Sequence, residues 1–168
     1  PASVVFGDGA MGGALKINTI NKSSFGDVSN IIEQKLETSS SSSSVKYISK
    51  LNSGKLNYIN AMSVEKHGNM KMGKQRYHGY DEWGNENIIT NGNEQLETSY
   101  EKYDVLQKTI FNYSKNLKIG LNSQYSYKSN ISRFDKLNDY NENERKYIKW
   151  EYGPQERINQ IITLTKKT

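Results

Sequence analysis

The sequence predicts an all-β chain laid out as an antiparallel meander, on three observations. Apolar and polar residues alternate with period two in successive runs of about ten residues. The joints between these runs alternate between tight turns and long polar segments. Asn, Ser, Tyr and β-branched residues fill the runs where a helix would favour Ala, Leu and Glu.

The first block, residues 1–22, differs in texture from the rest. It is small, Gly-rich and apolar, with short strands expected at residues 4–6 and 14–19 and glycines that let the chain turn sharply between them. Alternating runs follow at residues 28–36, 45–51, 56–64, 105–113, 117–128, 147–152 and 158–165. The cleanest is the fifth. Leu117, Ile119, Leu121, Tyr125 and Tyr127 share one face, and Lys118, Gly120, Asn122, Gln124, Ser126 and Lys128 the other. Seven strands are therefore expected. Asn52-Ser53-Gly54-Lys55, Ser114-Lys115-Asn116 and Gly153-Pro154-Gln155-Glu156 read as tight turns. The serine run 39–44 joins the first two strands, and long polar segments occupy residues 66–102 and 130–145. Tight turns then fall on one rim and long loops on the other, the layout of an outer-membrane barrel. Tyr47, Tyr58, Tyr113, Tyr125 and Tyr127 suit an interfacial aromatic belt.

Composition narrows the function classes. The chain has 168 residues, 24% of them charged, and a mean hydropathy of -0.85. With no cysteine there is no disulfide framework, thiolate metal site or cysteine nucleophile. No run approaches the ~20 apolar residues of a transmembrane helix, which leaves alternating barrel strands untouched. The net charge of +5 invites a nucleic-acid reading, but Lys and Arg are dispersed among Asp, Glu and Asn, so no nucleic-acid partner is expected. No Ser-His-Asp spacing, paired catalytic carboxylates or metal-ligand cluster stands out, so the expectation is a protein that is not an enzyme and carries no cofactor and no metal. The chain begins at Pro1 and ends on Lys166-Lys167-Thr168 with no signal peptide, which reads as a segment of a longer chain.

The candidate site residues lie in the long loops. His67, Arg76, Tyr77, His78, Tyr80 and Trp83 bring both histidines together with aromatic side chains, a set suited to contacting an aromatic or haem-like ligand. An ordinary polar loop with a small aromatic cluster would hold the same residues. Arg133 and Asp135 open the second long loop and are placed to pair with each other or across to another loop. Gly7, Gly9 and Gly12 also satisfy G-x-G-x-x-G, but without the following helix and the βαβ context that make that motif a nucleotide site.

The block Phe6-Gly7-Asp8-Gly9-Ala10-Met11-Gly12-Gly13-Ala14-Leu15-Lys16-Ile17 resembles the end of the plug domain in TonB-dependent outer-membrane receptors. In that family a stretch of the form G-x-G-A-x-G-G-x-x-x-I leads into the first barrel strand. Leu15-Lys16 stands where a shorter aliphatic pair is usual. Tyr103 to Lys108, Ile131 to Leu137 and Trp150 to Gln155 are similar to barrel segments of haem- and haemoglobin-type members, with Ser132 at a position where proline is expected.

The resemblance implies a 22-stranded barrel closed by a plug. Residues 1–22 would be the C-terminal end of the plug, with Gly7, Gly9, Gly12 and Gly13 at the plug–barrel junction, and residues 23–168 about seven first strands of the barrel. It implies the outer membrane of a Gram-negative bacterium, energised uptake of an iron chelate, siderophore or haem, and partnership with the TonB complex through a part of the protein preceding this segment. The alternative is a soluble secreted β-sandwich that binds a carbohydrate or other ligand.

Overall fold

The structure, a computed structural model, describes residues 28–73, 90–91, 93–142 and 144–167. Six long strands form one sheet: β1 (Val28–Glu37), β2 (Ser42–Ser53), β3 (Leu56–His67), β4 (Tyr100–Asn112), β5 (Leu117–Lys128) and β6 (Gln155–Lys166). They lie side by side in sequence order and every neighbouring pair is antiparallel. The fold is all-β and a meander. The Gly-rich block, with the junction glycines placed in it, lies outside the described residues.

Alternation sets the faces because successive side chains on a strand point to opposite sides. The registers carry that parity across the sheet without a bulge, so whole rows share a face. One face bears the rows Ile32–Tyr47–Met62–Val105–Tyr125–Ile158 and Val28–Leu51–Tyr58–Thr109–Leu121–Ile162. Fifteen large apolar side chains on it are 36–77% exposed, against two, Ile110 and Ile161, on the other face of these strands. Between its apolar rows runs a polar one, Asn30–Ser49–Asn60–Gln107–Ser123–Gln160, a member from every strand.

The opposite face carries the charges, in rows such as Glu33–Lys46–Ser63–Asp104–Ser126–Arg157. A depression of about 200 Å³ opens on this face, the inner one, from Lys46 on β2 to Arg157 on β6. The two buried aliphatic side chains of the sheet, Ile48 and Ile59, stand on the same inner face.

The connections follow the expected asymmetry. Two-residue and four-residue turns at residues 54–55 and 113–116 form one rim, and Gly54 takes a φ of +45° that a hairpin turn requires. The other rim carries the turn at residues 38–41 and the long connections at residues 68–99 and 129–154.

The sheet has six long strands rather than seven. The run at residues 147–152 supplies only Glu151–Tyr152, which pairs with Ile131–Ser132 inside the second long connection. Gly153, at φ +100°, then leads the chain into β6, so Gly153-Pro154-Gln155-Glu156 is an entry to a strand and not a hairpin turn. Ser42, Ser43 and Ser44, expected in the linker, belong to β2, and Tyr100 to Asp104 extend β4 upstream of the expected start.

Candidate functional site

Side chains able to meet a ligand converge in three places, all on the inner face or the long-loop rim. The first is the charged wall. Lys46 Nζ donates to Glu33 at 2.9 Å, and Lys102 Nζ lies 2.7 Å from Asp104 and 3.5 Å from Glu65. Ser63 donates to Asp104 at 3.4 Å and Ser126 donates to its other oxygen. Register explains the cross-strand pairs, since Glu33 stands directly opposite Lys46 and Glu65 directly opposite Lys102, while Lys102 and Asp104 are same-face neighbours two apart on β4.

The second place is where the inner face meets the rim. His67 is the last residue of β3 and Tyr100 the first of β4, directly opposite in register. Their rings stack at 4.3 Å with planes 15° apart. His67 Nε2 lies 3.2 Å from Glu65, and the Lys128 ammonium sits 4.8 Å from the centre of the Tyr100 ring. A depression of about 170 Å³ lined by Lys35, Glu37, Ser42, Glu65 and His67 opens beside them. His67 is thus a strand-end residue held by a stack and a carboxylate. Arg76, Tyr77, His78, Tyr80 and Trp83, expected beside it, lie outside the described residues.

The third is a small folded cap built by the second long connection. A single helical turn, α1 (Phe134–Leu137), buries Phe134 and Leu137, and Met72 from the first long connection and Trp150 pack against them. Arg133 stands at its start. Arg133 Nε donates to Asp135 at 2.8 Å and Nη1 to the Tyr152 hydroxyl at 3.0 Å. Its guanidinium lies 5.9 Å and 5.7 Å from the Trp150 and Tyr152 ring centres. The hydrogen bonds and charge of Arg133 hold the Asp135 carboxyl below its usual range, and Asp135 in turn raises the arginine. Tyr147 meets Trp150 edge-on at 4.7 Å, with Lys136 and Lys146 over the Tyr147 face at 6.0 Å and 5.5 Å. Arg133 and Asp135 therefore pair with each other and with their own loop.

The first long connection is pinned at its base by Asn69 and Thr98. Thr98 is 1% exposed. Its hydroxyl accepts from the Met70 amide at 2.9 Å and donates to the Gln95 carbonyl at 2.8 Å, while Asn69 Oδ1 accepts from the Thr98 and Ser99 amides, each at 3.1 Å.

Sequence reasoning missed Tyr100 and Lys128, because they join the cluster only through register, and Glu65, which shares the His67 face two residues upstream on β3. It noted Tyr147, Trp150 and Tyr152 but assigned the run 147–152 to a strand. Among the described residues no group of three His, Cys, Asp or Glu side chains is placed to hold a metal ion, and no helix is long and apolar enough to cross a membrane. Comparison of the chain with family models, curated proteins and solved structures finds no match.

Proposed function

We propose that this chain is a wall segment of an outer-membrane barrel of the TonB-dependent receptor type, with the long-loop rim facing the ligand. The observation that carries the reading is the division of the sheet's faces. One face carries the large apolar side chains, with two full apolar rows flanking a polar one, and the other carries the hydrogen-bonded charges, the distribution a barrel needs between lipid and lumen. Strands of 10–13 residues also reach the ~9–11 needed to cross a tilted barrel wall. The polar row is compatible with lipid because it does not lie at one depth. With strands ~4.8 Å apart and tilted by ~40°, each step along the row climbs ~3 Å, so its six members spread over roughly 15 Å of the membrane normal. At one end of the row Tyr47 donates to Asn30 Oδ1 at 2.8 Å and satisfies that amide oxygen within the sheet.

In this reading the rim residues His67, Arg133 and Asp135, with Arg76, Tyr77, His78, Tyr80 and Trp83, belong to the extracellular face. They capture an iron chelate, siderophore or haem for TonB-energised passage across the outer membrane. Open edges on β1 and β6 require further strands, since unpaired strand edges are not tolerated in hydrocarbon.

The polar row favours a second reading, a soluble β-sandwich binding module in which another sheet covers the apolar face and pairs with those amides. Sequencing the gene outward from both ends separates the two. A signal peptide, a TonB-contacting segment and many further alternating strands are expected. A start codon just before Pro1 and a stop codon just after Thr168 would overturn the receptor reading.

A further inference from the structure

Lysines that are dispersed along the sequence are sorted by the fold. The row Ile32–Tyr47–Met62–Val105–Tyr125–Ile158 divides the sheet into a half toward the turns at residues 54–55 and 113–116 and a half toward the long loops. With that row included, the tight-turn half comprises residues 28–32, 47–62, 105–125 and 158–167, which hold seven lysines and no Asp or Glu. Every Asp and Glu of the described residues lies on the long-loop side, and so does every ion pair among them. A surface that is merely solvated mixes the two signs, as the long-loop side does. We infer that the tight-turn rim binds the anionic headgroups of phospholipids through Lys55, Lys115 and Lys166.

The three lysines stand where the apolar face ends. Lys55 and Lys115 sit at the two turns and Lys166 at the end of β6, all exposed. Among the described residues none of them has a carboxylate partner. Just inside them the outer face carries its last apolar row, Leu56–Phe111–Ile119–Leu164, and Tyr113 meets Phe111 edge-on at 6.5 Å. Tyr113 is 65% exposed and Leu164 68%. Lys166 lies two residues beyond Leu164 on the same face, and Lys115 two beyond Tyr113. At ~3.3 Å per residue, the lysine stems lie along the last apolar side chains and the ammonium groups reach past them to headgroup depth. Lys50, Lys108 and Lys118 belong to the inner face by parity and take no part in this contact. A nucleic acid would use the charge but leave the adjoining aromatic and aliphatic row without a role. An anionic lipid uses both.

This inference rests on the reading of the sheet as a barrel wall and names the lipid that wall selects. The test places a bimane on the outer face at position 119, through Ile119→Cys in a chain with no cysteine of its own. The 168-residue chain in dodecylmaltoside micelles is titrated with phosphatidylglycerol or phosphatidylcholine carrying a nitroxide near the top of one acyl chain, which quenches the bimane on contact. Phosphatidylglycerol should bind at least about fivefold more tightly than phosphatidylcholine, since one lysine at an anionic surface is worth roughly that factor. About 0.5 M salt should abolish the preference by screening. The K55Q/K115Q/K166Q variant should lose it too, with phosphatidylcholine quenching unchanged and circular dichroism matched to the parent. A bimane at position 127, near the long-loop rim, should see the two lipids alike. Equal quenching by both lipids at position 119 would overturn the proposal and leave the barrel wall standing, whereas no quenching by either would overturn both. A preference that survives the triple variant, or is as strong at position 127, would also overturn it. So would displacement of phosphatidylglycerol by a short single-stranded oligonucleotide, which would assign the rim to nucleic acid.

Discussion

His67 and Tyr100 close the inner face at the long-loop rim, opposite each other across β3 and β4 with rings 4.3 Å apart. Tyr100 also lies under the Lys128 ammonium, so one ring ties three strands together where the first long connection leaves the sheet. Tyr100→Ala is expected to cost about 1–2 kcal/mol, from the lost stack and cation–π contact together. Tyr100→Phe keeps the ring and should stay within about 0.5 kcal/mol of the parent. Urea unfolding followed by far-UV circular dichroism distinguishes the two.

Gly68 is where the first long connection passes the turn at residues 38–41. A Cβ there would lie 2.6 Å from the Ser40 carbonyl oxygen and 2.9 Å from that of Ser41, both backbone atoms with little freedom to retreat. Gly68→Ala should therefore destabilise by about 1–3 kcal/mol through overpacking. Gly73→Ala, where a Cβ meets nothing within 4 Å, is the matched control and should be near neutral. Thermal unfolding of the two variants side by side provides the comparison.

The cap around α1 depends on Leu137, which is 1% exposed. Leu137→Ala is expected to loosen residues 129–154 by about 2–3 kcal/mol, the lower part of the range for a buried leucine because this core is small. Hydrogen exchange should accelerate across that connection and around Met72, while protection in β2 to β5 persists. Uniform loss of protection across the sheet would show that the cap is not a separate unit.

The Arg133–Asp135 pair carries a pH dependence of defined sign. Arg133 lowers the folded-state pKa of Asp135 below its ordinary value of 3.8, so the pair's stabilisation is fully present above that value. It fades as pH falls through the lower folded-state pKa. Trp150 fluorescence, reporting on the ring beside Arg133, should hold steady from pH 7 to pH 5 and change below pH 4. Asp135→Asn should remove that acid step and leave the neutral-pH spectrum little altered.

The wall of the sheet was legible because parity survives pairing. Leu117 to Tyr127 alternates cleanly, and the structure keeps every one of those residues on the face that the alternation assigned. The error at residues 147–152 has a physical origin. Ile148, Trp150 and Tyr152 alternate like strand residues, but the Trp150 and Tyr152 rings are engaged by Arg133, and Trp150 also by Lys136, inside one loop. The four-residue helix that anchors them is too short to leave a helical period in the sequence. The His67 cluster was half visible for a different reason. The histidine stood out by its type and Glu65 lies two residues before it on the same strand, whereas Tyr100 and Lys128 join them only once β3, β4 and β5 are in register.

The division of faces is the centre of the account, and single-cysteine labelling tests it most directly, since the chain has no cysteine of its own. Nitroxides placed one at a time from Leu117 to Lys128, on the chain in lipid or detergent, report contact with apolar oxygen and with a water-soluble nickel complex. The account predicts a period of two, with positions 119, 121 and 125 exposed to oxygen and 120, 122 and 124 to nickel. Labels at 119, 121 and 125 shielded from both reagents would mean that protein covers the apolar face, and would contradict the barrel wall.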